Sequence, residues 1–190
     1  MELEIIEKSL ILTFDADKED VKNGKFGFDK FINICTSDFT KLEEEYKPLT
    51  IYKQKYYPVW VSMRIGQTIT LKLDFLDKKN YKFFKEIKFE SNPDFTFEPT
   101  NLKDAKKIKI TCHNNSSEPL QLKIEGDGET VGAINFFYPE PKTLALDWRF
   151  VEVTGNNSDR DKLNYIVKVE KLKALLKKGF NPLLIDLKIV

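Results

Sequence analysis

The stretch VWVSMRIGQTITLKLDF, Val59–Phe75, indicates the fold class of this chain. A turn at Ile65–Gln67 separates two runs in which apolar and polar residues alternate. A period of two is typical of half-buried β-strands, because successive side chains of a strand point to opposite faces. In the second run, one face carries only apolar side chains: Ile69, Leu71, Leu73 and Phe75. We therefore predict two consecutive strands joined by a turn at Gly66.

Similar strand patterns recur at short intervals along the chain. The 15 Phe, 7 Tyr and 2 Trp residues favour sheet cores, because large flat side chains pack well on pleated surfaces. Between Gln67 and Val153 there are about seven short strand patterns and no long helical pattern. Turns rich in Gly, Asn, Asp and Pro separate them. This pattern predicts a mainly β fold, an immunoglobulin-like β-sandwich.

We expect three parts in chain order. Residues 1–50 form an N-terminal extension that packs on the sandwich, and within it Phe39–Glu45 (FTKLEEE) fits either a short helix or an irregular loop that follows a strand. Residues 51–155 form the sandwich. Residues 156–190 contain a linker, a helix with leucines near helical spacing and a last strand. Because the sequence ends within that strand, we interpret this part as the start of a further, truncated module.

Charge and hydropathy limit the classes of partner. Lys and Arg number 31 against 30 Asp and Glu, so the formal net charge of +1 creates no field that would recruit nucleic acid. The lysine-rich helix within residues 159–178 is interpreted as a solvated face rather than as a membrane or nucleic-acid surface. An acidic N-terminus and the lack of a long apolar run indicate no signal peptide and no membrane insertion. We expect synthesis in the cytoplasm, with any export through a route that needs no signal peptide.

The sequence offers little catalytic or metal-binding equipment. His113 is the only histidine and follows Cys112 directly, whereas zinc requires three or four protein ligands at suitable spacing. Asp127 in the run EGDGET lacks the spaced ligands of a calcium loop and is interpreted as part of a hairpin turn. We therefore expect no catalytic residue, metal or cofactor, and we expect Cys35 and Cys112 to be free thiols.

The run KYYPVW is denser in aromatic residues than a core strand requires. Tyr56, Tyr57 and Trp60 are therefore the predicted partner-binding residues, since buried aromatic anchors dominate many protein interfaces. Trp60 also alternates within a strand pattern, and this leaves open that its ring faces the core.

The order of these segments resembles the N-terminal region of type VI secretion effectors of Bacteroidota, across residues 50–190. The resemblance is carried by Tyr57–Ser62 (YPVWVS), an aromatic-Pro-Trp-Val-Ser segment, with Gly66 in the turn that follows. In that family an immunoglobulin-like module precedes a toxin domain. The resemblance implies a delivery module that docks on the spike of a contractile injection apparatus and carries a downstream effector domain.

Two functions from different classes follow from these observations. The first is a non-catalytic protein-binding and delivery module, an adaptor that positions a downstream domain. The alternative is a carbohydrate-binding or adhesin-like module that uses the same three aromatic residues. The alternative requires that Tyr56, Tyr57 and Trp60 lie coplanar and exposed on one face of a sheet.

Overall fold

The computed structural model describes residues 9–31, 39–77, 79, 81–147 and 169–189, and the chain is mainly β over these residues. The described helices are α1 (Lys18–Lys22), α2 (Phe39–Glu45) and α3 (Val169–Phe180), with short 3₁₀ turns at Tyr81–Phe83 and Asn181–Leu183. The described strands are β1 (Ile11–Ala16), β2 (Gly27–Asp29), β3 (Leu49–Ile51), β4 (Gln54–Tyr56), β5 (Val59–Ser62), β6 (Thr68–Asp77), β7 (Ile87–Phe89), β8 (Phe95–Glu98), β9 (Lys107–Cys112), β10 (Leu120–Gly126), β11 (Glu129–Phe137), β12 (Lys142–Leu146) and β13 (Ile185–Ile189).

Two larger sheets contain most of the strands. The four-stranded sheet has the order β1-β6-β9-β8, and all of its pairs are antiparallel. The five-stranded sheet has the order β2-β5-β11-β10-β7, in which β5 and β11 run parallel and the other pairs are antiparallel. Two further sheets have two strands each, β3–β4 and β12–β13.

The turn at Ile65–Gln67 carries the chain from the five-stranded sheet to the four-stranded sheet. Gly66 has a φ of 75°, a conformation that favours glycine, and its N–H donates to the carbonyl of Cys112 at 2.8 Å. The prediction of two strands joined at this glycine is confirmed. Because β5 and β6 belong to different sheets, the turn is a crossover and not a hairpin.

The buried faces of the two larger sheets contribute to one hydrophobic core. The predicted apolar face of β6 lies in this core, since Ile69 and Leu71 are buried and the other two residues of that face pack against it. Phe95 of β8 stacks on Phe136 of β11, with the ring centroids 4.3 Å apart. Fully burying a side chain of this kind contributes about 1.5–3 kcal/mol. Contacts of this kind between the sheets therefore hold them together.

The N-terminal residues supply strands to both larger sheets. β1 pairs with β6 at the edge of the four-stranded sheet, and β2 pairs with β5 at the edge of the five-stranded sheet. The helical alternative for Phe39–Glu45 is confirmed as α2. After α2, the β3–β4 hairpin lies against β11, where Ile51 and Tyr56 pack with Ala133.

The C-terminal part has a helix followed by a strand, as predicted, although residues 159–168 of the predicted helix lie outside the described residues. β13 pairs in parallel with β12, with Leu187 opposite Leu144, and α3 packs against β13. Residues 51–155 are predicted to form the sandwich, but β12 within this range pairs with β13 and joins neither of the two larger sheets. β12 leaves the two larger sheets because its hydrogen-bonding partner, β13, lies in the C-terminal part. We use the name C-terminal unit for residues 169–189.

Candidate functional site

Tyr56 is a core residue. Its side chain is 3 % exposed, and its hydroxyl lies 2.9 Å from the carbonyl oxygen of Leu12 and 3.1 Å from that of Ala133. Burial raises the pKa of Tyr56 to about 12. The small side chain of Ala133 leaves room for the ring on this side of β11. The prediction that Tyr56 anchors a partner is therefore wrong, because its ring and hydroxyl are already in use inside the fold.

Tyr57 lies half-buried in an intramolecular cluster. Its ring stacks on Phe31 with the centroids 3.9 Å apart, and its hydroxyl donates to the carboxylate of Glu43. Lys55 pairs with the same carboxylate at 2.5 Å, and this hydrogen bond is the main cause that lowers the pKa of Glu43. Tyr57 is therefore held by contacts with its own chain, and its partner-binding role stays a prediction.

Trp60 points away from the core. It is half-buried on β5, between Val59 and Val61, which are fully buried because their side chains point to the opposite face. Lys47 Nζ lies 5.9 Å from the centroid of the indole ring. Within the described residues the indole N–H makes no hydrogen bond, and it is therefore available as a donor.

An open groove of about 410 Å³ runs past Trp60, and we call it the Trp60 groove. Gly27 of β2 and Ser62 of β5 also line it, and Asp29 is the one ionisable residue among the described residues that do so. Asp29 accepts a hydrogen bond from the hydroxyl of Tyr46 at 2.5 Å. The apolar walls come from Phe28, Trp60, Pro119, Phe137, Pro182 and Leu183.

The exposed apolar area of this groove comes from residues far apart in the sequence. Phe137 is 36 % exposed and Leu183 is 62 % exposed, and both line the Trp60 groove. Sequence reasoning missed Pro119, Phe137, Pro182 and Leu183. A weak signal exists for Phe137, because in the pair Phe136–Phe137 of a strand one ring must face away from the core. No local pattern marks the other three.

The exposed platform that a carbohydrate site needs is not formed by Tyr56, Tyr57 and Trp60. Tyr56 is buried, Tyr57 stacks on Phe31, and Trp60 lines the Trp60 groove. The structure does not bring these three side chains together on one exposed face.

The other residues considered for chemistry make the following contacts within the described part of the chain. Cys112 is a buried free thiol whose pKa is raised by burial, and Cys35 lies outside the described residues. The ring nitrogen Nε2 of His113 lies 3.0 Å from the hydroxyl of Thr96. Asp127 occupies a tight turn, where its carboxylate accepts hydrogen bonds from two backbone N–H groups, those of Lys85 and Glu86. Over the described ranges, no cluster of three or more His, Cys, Asp or Glu side chains is arranged to hold a metal ion.

Comparison with protein-family models, curated proteins and solved structures finds no match for this chain. None of the described helices is long and apolar enough to cross a membrane.

Proposed function

We propose that this chain is a non-catalytic protein-binding module that docks through the Trp60 groove. The observation that carries the proposal is the set of exposed apolar side chains that line the groove with Trp60, of which Phe137 and Leu183 are the most exposed. A contiguous exposed apolar patch is uncommon on a monomeric protein and typically marks an interaction site. Trp60 supplies a large rigid ring to this patch, the kind of anchor that dominates interface energies.

The proposal includes an immunoglobulin-like sandwich as the scaffold. The strand orders support it: β6-β9-β8 corresponds to strands B-E-D of that fold and β7-β10-β11 to strands C-F-G, while β1 lies beside β6 in the place of strand A. β5 extends the second sheet through its parallel pairing with β11. Such scaffolds suit docking because their core packing is independent of what their edges and loops bind.

The occupant of the Trp60 groove that fits best is an extended peptide segment of a partner protein, with an apolar side chain next to a basic one. The apolar side chain would lie between Trp60 and Leu183, and the basic one would face Asp29, the one ionisable residue along the described lining. An extended segment presents free backbone carbonyls, and the indole N–H of Trp60, which makes no hydrogen bond within the described residues, can donate to one of them. Aromatic-lined grooves recognise extended peptides in this way.

The family resemblance of the sequence involves the same place. The segment Tyr57–Ser62 contains Trp60, Val61 and Ser62, and all three line the Trp60 groove. We therefore propose that the partner is the spike protein of a contractile injection apparatus and that the chain delivers a downstream effector domain. Synthesis in the cytoplasm and export without a signal peptide belong to this proposal.

The test measures binding of the purified spike protein encoded in the same locus. Trp60→Ala and Leu183→Ala should each weaken binding at least tenfold, since about 1.4 kcal/mol corresponds to a factor of ten and interface anchors exceed it. Leu76→Ala is the matched control, because Leu76 is 66 % exposed and lies outside the groove.

Parental affinity in both groove variants would contradict the proposal. Retention of the parent chain on polysaccharide gels, with no affinity for the spike protein, would favour the carbohydrate-binding alternative. Melting temperatures of all variants should stay near that of the parent, because Trp60 and Leu183 lie outside the main core.

A further inference from the structure

The Trp60 groove is built from two parts of the molecule that are joined by a specific polar contact. Trp60, Phe28 and Phe137 come from the five-stranded sheet, whereas Pro182 and Leu183 belong to the C-terminal unit. The groove therefore exists as described only while the C-terminal unit is seated on the sheet.

Asn181 is the centre of this contact. Its side-chain amide donates to the carbonyl of Gly24 at 2.5 Å and to that of Lys25 at 3.1 Å, and its carbonyl oxygen accepts from Arg64 Nε at 2.9 Å. Arg64 also pairs with Asp186 of β13 at 2.8 Å. All polar atoms of the Asn181 side chain are thus satisfied by the loops of the β-rich part.

Two glycines allow a close approach beside Asn181. Gly24 has a φ of 61°, and a methyl group built on it would overlap the carbonyl oxygen of Lys178 in α3. A methyl group built on Gly27 would overlap Ser62 Oγ and lie 2.9 Å from the carbonyl oxygen of Pro182. Ser62 Oγ donates to that same carbonyl at 2.5 Å. The backbone of the C-terminal unit therefore touches the backbone of the β2 region directly.

The main hydrophobic core does not depend on this contact. Its described members extend from Leu10 to Tyr138, and none belongs to the C-terminal unit. The two larger sheets therefore have a core to which no described residue of the C-terminal unit contributes, while β12 and β13 pair with each other.

We propose that seating of the C-terminal unit switches the Trp60 groove between a complete and an open form. In the open form the wall formed by Pro182 and Leu183 is absent, and Trp60 is exposed on that side. A partner that contacts both walls binds the seated state better, so partner binding and seating stabilise each other by the same free energy. This coupling rests on the proposed function, whereas the switch itself can be measured without any partner.

The test compares Gly24→Ala with Gly66→Ala. Both variants also carry Trp148→Phe, so that Trp60 is the one remaining tryptophan of the two in the sequence. Both glycines have a positive φ, of 61° and 75°, so both substitutions strain the backbone similarly. A methyl group at Gly24 overlaps α3, whereas one at Gly66 meets no atom within 4 Å. The difference between the two variants therefore isolates detachment of the C-terminal unit.

We expect acrylamide quenching of Trp60 fluorescence to increase in Gly24→Ala, with a red shift of its emission, and to stay at the parental level in Gly66→Ala. Far-UV circular dichroism and a cooperative thermal transition check that the sheets remain folded. Parental quenching in a folded Gly24→Ala chain, or an equal increase in Gly66→Ala, would overturn the switch.

Asn181→Ala provides a second variant in case Gly24→Ala does not fold. It removes three hydrogen bonds of the contact without adding any atom, and it should increase quenching of Trp60 in the same way. Unchanged quenching in a folded Asn181→Ala chain would overturn the switch independently.

With the spike protein, affinity should fall in Gly24→Ala and not in Gly66→Ala. If the parent chain itself does not bind that protein, the proposed function fails while the fluorescence result still decides the switch.

Discussion

Replacing Tyr56 by Phe removes one hydroxyl that connects the two larger sheets. The hydroxyl lies within hydrogen-bond distance of the carbonyl of Leu12 on β1, in the four-stranded sheet, and of the carbonyl of Ala133 on β11, in the five-stranded sheet. The N–H of Ala133 also lies 3.3 Å from the hydroxyl oxygen. Phe preserves the shape of the ring, so the substitution tests these hydrogen bonds separately from packing.

The expected loss in the free energy of unfolding is about 1–3 kcal/mol, the range for leaving a buried polar group without its partner. For a chain of this size each kcal/mol lowers the melting temperature by roughly 2–4 °C. Tyr57→Phe is the matched control, because its hydroxyl donates to the part-buried carboxylate of Glu43, which keeps Lys55 as a partner in the variant. A change at such a site stays within about 0.5 kcal/mol.

Alkaline pH provides an independent measurement of the same hydroxyl. Burial raises the pKa of Tyr56 from 10 to about 12, so the fold favours the neutral phenol. The contribution of the buried Tyr56 hydroxyl to the free energy of unfolding is fully present below pH 10 and is lost as the pH rises from 10 to about 12. The difference in stability between the parent chain and Tyr56→Phe should therefore become smaller over that interval.

Urea unfolding followed by circular dichroism, at neutral pH and between pH 10 and 12, measures both effects. Equal unfolding midpoints for the parent chain and Tyr56→Phe at neutral pH would refute the burial argument. So would a Tyr57→Phe chain that loses as much stability as Tyr56→Phe.

Two further predictions concern the boundaries and the thiols of the chain. A chain of residues 1–155 should keep a cooperative thermal transition, because the described members of the main core end at Tyr138. Its melting temperature should be lower than that of the parent chain, because the contacts of Asn181 are lost. A broad, non-cooperative melt would show that the C-terminal unit is part of the same folding unit. Denatured, unreduced protein should contain two free thiols, of which Cys112 should react slowly with a thiol reagent in the native state because burial raises its pKa. A count of zero thiols, or fast native reaction of Cys112, would contradict this prediction.

Local sequence patterns were sufficient to predict the β-rich class and several individual elements. The alternation of Ile69, Leu71, Leu73 and Phe75 identifies β6 and its inner face, because the period of a strand is a property of the backbone over a few residues. Short segments also predict the C-terminal helix and strand, and for Phe39–Glu45 they leave a helix as one of two alternatives, of which the structure has the helix α2. In each case the signal lies within about ten residues of sequence, the scale on which periodicity and turn residues act.

Pairing and burial of the aromatic residues depended on contacts between distant segments. The alternation around Trp60 shows that the side chains of Val59 and Trp60 face opposite sides of the strand, but it does not show which side is buried. Tyr56 is buried because the β3–β4 hairpin lies against Ala133 of β11. β12 pairs with a strand that lies beyond α3, and no local pattern specifies that partner. The Trp60 groove joins Trp60, Phe137 and Leu183, and only the packing of the C-terminal unit on the five-stranded sheet brings them together. Side-chain periodicity is a property of neighbouring residues in the sequence. The binding surface instead depends on the free energy of contacts between segments that are far apart in the sequence.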